Sequence, residues 1–172
     1  MRASVELARH NRYSPHSLLV VGRSAGHNRS MSLSFRTSRR VEFRATDAAG
    51  IMHFSTFFNL MEEVEHEFLR HLGLSVLMSD EEGTISWPRV SVKCDYLAAV
   101  RFEDVLEVEL RITRLGRSSV AYSFHISREE TAVARGEFTV VCCRIIHGQP
   151  PQSLAIPPYI RSLLEPFIAP AT

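Results

Sequence analysis

The sequence has few cysteines, only Cys94, Cys142 and Cys143. Their number is odd, and none stands in the C-x-x-C spacing of a structural zinc site. Cys142 and Cys143 are adjacent, so on a strand their side chains would point to opposite faces. The sequence therefore supports neither a disulfide-stapled scaffold nor a metal site. It predicts free thiols in a reducing compartment, and we expect a cytoplasmic location.

Long apolar runs and a strong net charge are also missing. No apolar run approaches the roughly 18–20 residues that cross a bilayer, so we expect no membrane span. The formal net charge is +1 over 172 residues, which is not the electrostatic signature of a nucleic-acid-binding protein. The G-x-G-x-x-G and G-x-x-x-x-G-K-[ST] motifs are absent, and no cofactor is predicted. The composition, 45% apolar and 23% charged, is that of one globular domain.

The first 30 residues differ from the rest of the chain. They carry five arginines against one glutamate and show little periodicity. Two explanations stay open: a transit peptide, for which an Arg- and Ser-rich composition is typical, or an upstream extension with Met31 as the working first residue. The sequence favours the second. We expect residues 1–30 to be a poorly ordered basic extension unless they dock on the core, and residues 31–172 to form the domain.

A strand followed by a long helix is predicted next. Residues 33–45 alternate as a strand, with Val41 and Phe43 on one face. Residues 56–72 have the spacing of an amphipathic helix, whose apolar positions are Phe57, Leu60, Met61, Val64, Phe68 and Leu72. The acidic side chains of the opposite face are Glu62, Glu63, Glu65 and Glu67, with His66 among them.

The chain after the helix alternates with period two in four long segments. Short links join these segments, which predicts antiparallel hairpins with one buried face. The last strand is predicted over residues 132–146, and a short helix begins after Pro158 and ends at Pro166. The fold class is therefore α+β, with one long helix packed on an antiparallel sheet of five or six strands.

A resemblance to a known family lies in two segments, FRATDAAGIMHFSTFFNLMEEVEHEFLRHLGL and WPRVSVKCDYLAAVRFEDVLEVELRITRLGRSSVAYSF. The most specific part is T-D-x-x-G-I-x-H-F before the helix. This pattern resembles the hotdog-fold acyl-CoA thioesterases, specifically the 4-hydroxybenzoyl-CoA thioesterase-like group. The resemblance implies a central helix wrapped by the sheet, an acyl-CoA substrate, and a homodimer or homotetramer with active sites between subunits.

The loop before the helix carries the chemistry that thioester hydrolysis needs. Asp47 lies at a strand end before Gly50, a residue that lets the backbone turn and approach a ligand closely. The first turn of the following helix offers unpaired N–H groups at its positive end. By resemblance, Asp47 is the catalytic aspartate, acting as nucleophile or general base, and the backbone N–H of Phe54 is the oxyanion donor.

Other candidates follow from the same resemblance. His53 is a candidate general acid or substrate-orienting residue, with a polar rim position as the alternative. Glu62 and Glu63 are backup catalytic acids, with a solvated or dimer-facing position as the favoured alternative. Cations near strand ends are candidates for the phosphates of CoA: Arg89, Arg117, Arg101 and Arg128, with Ser118 and Ser119 beside Arg117.

The sequence keeps two rival functions open. A hotdog hydratase or dehydratase would act on similar thioesters, but its usual spacing of a catalytic histidine and acid is absent. A non-catalytic acyl-CoA-binding module is the other, and the presence of Asp47 argues against it. The acyl group itself is not predicted, because the depth of the pocket depends on the partner subunit.

Overall fold

The computed structural model of the protein describes residues 18–21 and 33–170. One long helix packs on one face of a large antiparallel sheet, which confirms the predicted α+β hotdog architecture. The six strands of this main sheet stand in the order β1-β2-β6-β7-β8-β5. Their bounds are β1 Leu18–Val21, β2 Leu33–Arg40, β5 Arg89–Tyr96, β6 Val105–Leu115, β7 Ser119–Arg128 and β8 Thr131–Val141.

Helix α1, Thr56–His71, lies where the periodicity predicts it. Its buried apolar face packs against the sheet through Phe57, Leu60, Met61, Val64, Phe68 and Leu69. The closest approach is at Gly136 of β8, where an added Cβ would lie 1.9 Å from the Met61 Sδ atom. Helix and sheet can therefore meet at this distance only because position 136 has no side chain.

The predicted strand over residues 33–45 is too long. The strand β2 ends at Arg40, and Phe43–Ala45 form a 3-10 turn. Val41 is buried, whereas the Phe43 side chain is 76% exposed. The prediction that both lie on one face is wrong, because a 3-10 turn repeats every three residues rather than every two.

A second, smaller sheet was missed by the sequence interpretation. It contains β3 Leu77–Asp80, β4 Gly83–Ser86, β9 Cys143–Ile145 and β10 Gln152–Ser153, in the order β10-β9-β4-β3. The predicted single strand over residues 132–146 breaks at Cys142. There the Cys142 N–H donates to the Ser118 carbonyl and the Cys142 carbonyl accepts from the Leu154 N–H. The main sheet keeps β8, and β9 passes into the second sheet.

Elements at both ends of the described chain contact the main sheet: β1 pairs with β2, and Ile168 near the C-terminus bridges to Ile112 of β6. The predicted C-terminal helix is confirmed as α2, Pro158–Leu164, followed by a 3-10 turn at Glu165–Phe167. Four residues of the predicted N-terminal extension form β1, which pairs antiparallel with β2. Residues 1–17 and 22–32 lie outside the described residues. Among the helices that are described, none has the length and apolar character needed to cross a bilayer.

Candidate active site

The loop from Thr46 to Met52 holds Asp47 through its own main chain. The Asp47 N–H donates to the Ile51 carbonyl at 2.9 Å, and the Gly50 N–H donates to the Asp47 carbonyl at 3.0 Å. Gly50 has a φ of +70°, a left-handed conformation that favours glycine. The Ala49 N–H donates to Asp47 Oδ1 at 2.8 Å. The carboxylate is therefore oriented by an amide while its side chain remains exposed.

The same loop is tied to the main sheet. The Met52 N–H donates to the Val100 carbonyl at 2.7 Å, and Ile51 forms an isolated bridge with Arg101. The His53 N–H donates to the Ala45 carbonyl at 2.9 Å. The connection between β5 and β6 thus holds the loop that carries Asp47 against the main sheet.

Helix α1 begins directly after this loop, at the predicted oxyanion donor. The Thr56 N–H donates to the His53 carbonyl at 2.9 Å, and the Phe58 N–H donates to the Ser55 carbonyl at 3.1 Å. By contrast, the Phe54 N–H meets no acceptor among the residues described. The Phe54 side chain is 59% exposed. This free amide lies at the positive end of a helix of 16 residues, where negative charge is stabilised.

Asp47 and Phe54 line the same open cavity of about 400 Å³. The rest of its wall is apolar or aromatic and comes from the loop, the helix start and the β5–β6 connection: Ile51, Met52, Phe57, Tyr96, Leu97, Ala98, Ala99 and Val100. The structure therefore brings together the two residues that the sequence assigned to the catalytic step. A cavity of this lining suits an apolar group beside one carboxylate.

His53 lies beside the cavity rather than in its wall. Its Nδ1 is 2.7 Å from Ser55 Oγ and 3.4 Å from the Ser55 backbone nitrogen. Because a backbone N–H can only donate, this contact matches the tautomer in which Nδ1 is the acceptor and Nε2 carries the proton. The ring packs on Phe54, with centroids 4.4 Å apart.

Tyr96, the last residue of β5, was missed as a site residue. Its hydroxyl donates to the Phe54 carbonyl at 3.0 Å, and its ring contacts Phe57 with centroids 5.2 Å apart. Burial raises the pKa of the Tyr96 hydroxyl above its ordinary value. The sequence offered one signal for Tyr96: an aromatic residue with a polar hydroxyl ends the alternating segment that became β5.

Arg89, a predicted phosphate ligand, already has two carboxylate partners. It contacts Glu62 at 2.9 Å and forms a short hydrogen bond with Glu65. Its guanidinium also lies 5.1 Å from the centroid of the Phe138 ring. The same contact engages Glu62, one of the backup catalytic acids. A phosphate would have to compete with both carboxylates for Arg89, so the structure adds no support to this assignment.

Glu65 differs from its predicted place on the exposed face of the helix. Its side chain is 1% exposed, so the prediction is wrong. Burial raises the pKa of Glu65 to about 7, although the Arg89 guanidinium acts in the opposite direction. Tyr122 is a fully buried neighbour of Glu65. Burial holds the pKa of the Tyr122 hydroxyl well above its usual range, and the negative charge of Glu65 acts in the same direction. The other backup acid, Glu63, is exposed and lies 3.9 Å from Arg39 Nε.

The predicted phosphate ligands Arg117, Ser118 and Ser119 lie far from Asp47 in the same chain. They form the turn and strand start after β6, whose other end neighbours the Asp47 loop. A strand of 11 residues is roughly 35 Å long. The structure therefore does not bring Arg117, Ser118 and Ser119 to the Asp47 cavity of their own subunit.

Two other predicted cations lie at the Asp47 end. Arg128 contacts Asp104 at 2.6 Å and the Ala99 carbonyl at 3.3 Å. Arg101 is exposed and pairs through its backbone with Ile51, within the loop that carries Asp47. Among the described residues, no acceptor engages the guanidinium of Arg101. Within residues 33–170, no group of three or more His, Cys, Asp or Glu side chains is placed to hold a metal ion.

Comparison with known families gives one match, to the model described as the thioesterase superfamily, over residues 49–135. This range is half of the chain. It includes His53, Phe54 and Tyr96 and begins two residues after Asp47.

Individual proteins agree with the family match. The chain is 29% identical over 111 residues to an acyl-CoA thioester hydrolase, YbgC, of Escherichia coli O6:H1, covering 63% of this chain and 81% of the relative. It is 25% identical over 132 residues to a 1,4-dihydroxy-2-naphthoyl-CoA hydrolase of Synechococcus elongatus, covering 76% and 95%. A solved 4-hydroxybenzoyl-CoA thioesterase superposes with a TM-score of 0.66 at 19% identity, over 76% of this chain and 98% of that one. At that identity the likeness concerns the fold alone.

Proposed function

Because this chain belongs to the thioesterase superfamily, we propose that it hydrolyses an acyl-CoA thioester to a carboxylic acid and CoA, with Asp47 as the catalytic carboxylate. The observation that carries the proposal is a shared cavity: Asp47 and Phe54 both line the same open cavity of about 400 Å³. In the proposed complex, the thioester carbonyl lies in that space between the Asp47 carboxylate and the Phe54 amide.

Asp47 has two chemically complete roles in this arrangement. As a nucleophile, its oxygen bonds to the carbonyl carbon, the C–S bond breaks, and the CoA thiolate leaves and takes a proton from water; water then cleaves the mixed anhydride and restores the carboxylate. As a general base, it takes a proton from the water that attacks the carbonyl, and the proton passes to the leaving thiolate. The Ala49 amide on Oδ1 leaves the second carboxylate oxygen for either role.

The oxyanion that forms in both routes requires a donor. The Phe54 N–H fills this role, because it has no protein acceptor among the described residues and lies at the positive end of α1. A fixed main-chain donor stabilises developing charge without reorganising during the reaction. We assign the substrate-orienting role to His53, which lies beside this turn.

We also propose that two subunits complete the site, as a homodimer or homotetramer. Among the described residues, β5 is an edge strand of the main sheet. It exposes Val90 by 62% and Val92 by 42%, and the unpaired N–H and C=O groups of an edge strand can pair with a second chain. A two-fold axis at this edge would join the two sheets. Arg117, Ser118 and Ser119 then bind CoA phosphate from a second subunit, since their own cavity lies too far away. Sedimentation as a stable monomer at micromolar concentration would contradict this assembly.

The thiols of Cys94, Cys142 and Cys143 are all free. They fit the proposed cytoplasmic location, where thiols stay reduced.

The function is tested by thiol release from a panel of aliphatic and aromatic acyl-CoAs. The parent protein is expected to release thiol, and Asp47→Asn to lower kcat by roughly a thousandfold or more, because an amide is a poor nucleophile and a poor base. A matched control is Glu130→Gln, the same change of acid to amide in the exposed β7–β8 turn. Tight binding without thiol release by the parent would instead identify an acyl-CoA-binding module.

A further inference from the structure

The hydroxyl of Tyr96 reaches from the main sheet to the first turn of α1, where it donates to the Phe54 carbonyl at 3.0 Å. We propose that Tyr96 is a positioning residue of the hydrolytic site. By holding the peptide that follows Phe54, it restricts the Phe54 residue that carries the oxyanion donor, and through the N–H of the same peptide it fixes the His53 ring. This inference rests on the proposed thioesterase function and names a residue that acts through others rather than on the substrate.

The shared group is the peptide between Phe54 and Ser55. Its carbonyl accepts from Tyr96, and its N–H, which belongs to Ser55, lies 3.4 Å from His53 Nδ1. A donor on a carbonyl polarises the whole peptide and strengthens the hydrogen bond of its N–H. Tyr96 is therefore connected to the ring of His53 by a chain of two hydrogen bonds, and it favours the tautomer with Nδ1 as acceptor.

Tyr96 is itself held in place by the main sheet and by α1. Tyr96 pairs with Ala134 in the ladder between β5 and β8, so its backbone is fixed by the main sheet. Its ring packs edge-on against Phe57 of α1, with centroids 5.2 Å apart and planes at 66°. Burial raises the pKa of the hydroxyl, so it stays a protonated donor over the range in which enzymes work. Tyr96 thus ties the position of Phe54 to the main sheet as well as to the loop.

The position of Phe54 matters because it lies in the turn that precedes α1, between His53 and Thr56. The Phe54 N–H has no acceptor among the described residues, and its side chain is 59% exposed. Without Tyr96, the loop and the turn from His53 to Thr56 would still hold this residue, but its carbonyl would lose its hydrogen bond to the main sheet. A misaimed oxyanion donor weakens binding of the transition state more than binding of the ground state. The expected loss therefore falls on kcat.

The test is Tyr96→Phe, which removes the hydroxyl and keeps the ring on Phe57. We expect kcat to fall by about tenfold on the best acyl-CoA of the panel, with KM within about twofold. The matched control is Tyr159→Phe in α2, which removes a hydroxyl from a tyrosine that is 55% exposed, and it should leave kcat unchanged. Long-range ¹H–¹⁵N spectra should show His53 as the Nε2–H tautomer in the parent and as a mixture of tautomers in Tyr96→Phe.

A second variant guards against a merely structural effect. His53→Gln removes the far end of the chain, so Tyr96→Phe should cost less in that background than in the parent. Equal costs in both backgrounds would overturn the link from Tyr96 to His53. A kcat for Tyr96→Phe within twofold of the parent, or a loss matched by a loss of folded protein, would overturn the positioning role as a whole. In all three cases the parent still hydrolyses acyl-CoA. A parent that releases no thiol overturns the proposed function itself, and the inference with it.

Discussion

Asp47 and Glu65 are both carboxylates that helix α1 helps to place, but the chain surrounds them in opposite ways. Asp47 is exposed at the loop–helix junction, where main-chain amides hold it and a cavity opens beside it. Glu65 is buried between helix and sheet, where Arg89 compensates its charge. The acid with the strongly raised pKa is therefore the one that substrate cannot reach. Access and nearby amides distinguish the candidate catalytic carboxylate in this fold.

Glu65 forms a cluster with Arg89, Glu62 and Tyr122, which we call the Glu65 cluster. We expect this cluster to contribute stability rather than catalysis, and Arg89→Leu breaks it directly. The change leaves Glu65 buried without its cationic partner. Removing one member of a buried ion pair typically costs about 3–5 kcal/mol of unfolding free energy. We expect about 3 kcal/mol from urea unfolding at pH 8, and less at pH 5, where Glu65 is protonated. An unchanged unfolding midpoint at pH 8 would show that the pair carries no stability.

The pH dependence of stability sharpens the same contrast. The pKa of Glu65 in the folded protein, about 7, lies above its ordinary value of 4.5. The folded state therefore favours the protonated acid, and this contribution is complete below pH 4.5 and is lost as the pH rises through 7. Its full size is on the order of 3 kcal/mol.

Glu65→Gln removes this titration and is the variant to compare. From pH 5 to pH 8, the unfolding free energy of the parent should fall relative to that of Glu65→Gln, as followed by urea unfolding. Glu62 and Tyr122 face the same cluster and remain in both proteins, and the pKa of Tyr122 lies well above this pH range. Parallel curves for the two proteins would contradict the raised pKa.

The smallest expected effect concerns a cation at the junction. Arg101 bridges the Asp47 loop through its backbone and has an exposed guanidinium. If it helps to hold the phosphates of CoA, Arg101→Ala raises KM by roughly three- to tenfold with little change in kcat, since a phosphate contact is made equally in ground and transition states. Steady-state kinetics on acyl-CoA measures this split. Arg70→Ala, at the other end of α1, is the control, and equal KM changes in both would indicate only a general loss of charge.

Much of this architecture follows from periodicity alone. The apolar spacing of α1 and the alternation of β5 to β8 predict the observed elements, since one buried face per element leaves a clear repeat in the sequence. The break at Cys142 was not predictable in the same way, because both of its hydrogen bonds join residues distant in sequence. The short hairpin of β3 and β4 is too brief to show a period.

The candidate site shows the same division. The Asp47 loop has a local motif, so sequence placed Asp47 and Phe54 together before the fold was known. Glu65 carries no such mark: its burial depends on Arg89, which is 24 residues away along the chain. Tyr96 is 42 residues from Phe54, and only the packing of β5 against the start of α1 brings its hydroxyl to that carbonyl.

The most direct test of this account compares the two carboxylates in one assay. Asp47→Asn and Glu65→Gln make the same chemical change, and both are measured with the parent on the same acyl-CoA at pH 7, with the folded fraction of each protein checked. If Asp47 is the catalytic carboxylate, Asp47→Asn loses roughly a thousandfold or more in kcat, while folded Glu65→Gln stays within a few-fold of the parent. A large loss in Glu65→Gln beside an active Asp47→Asn would contradict it and move the chemistry to the buried acid.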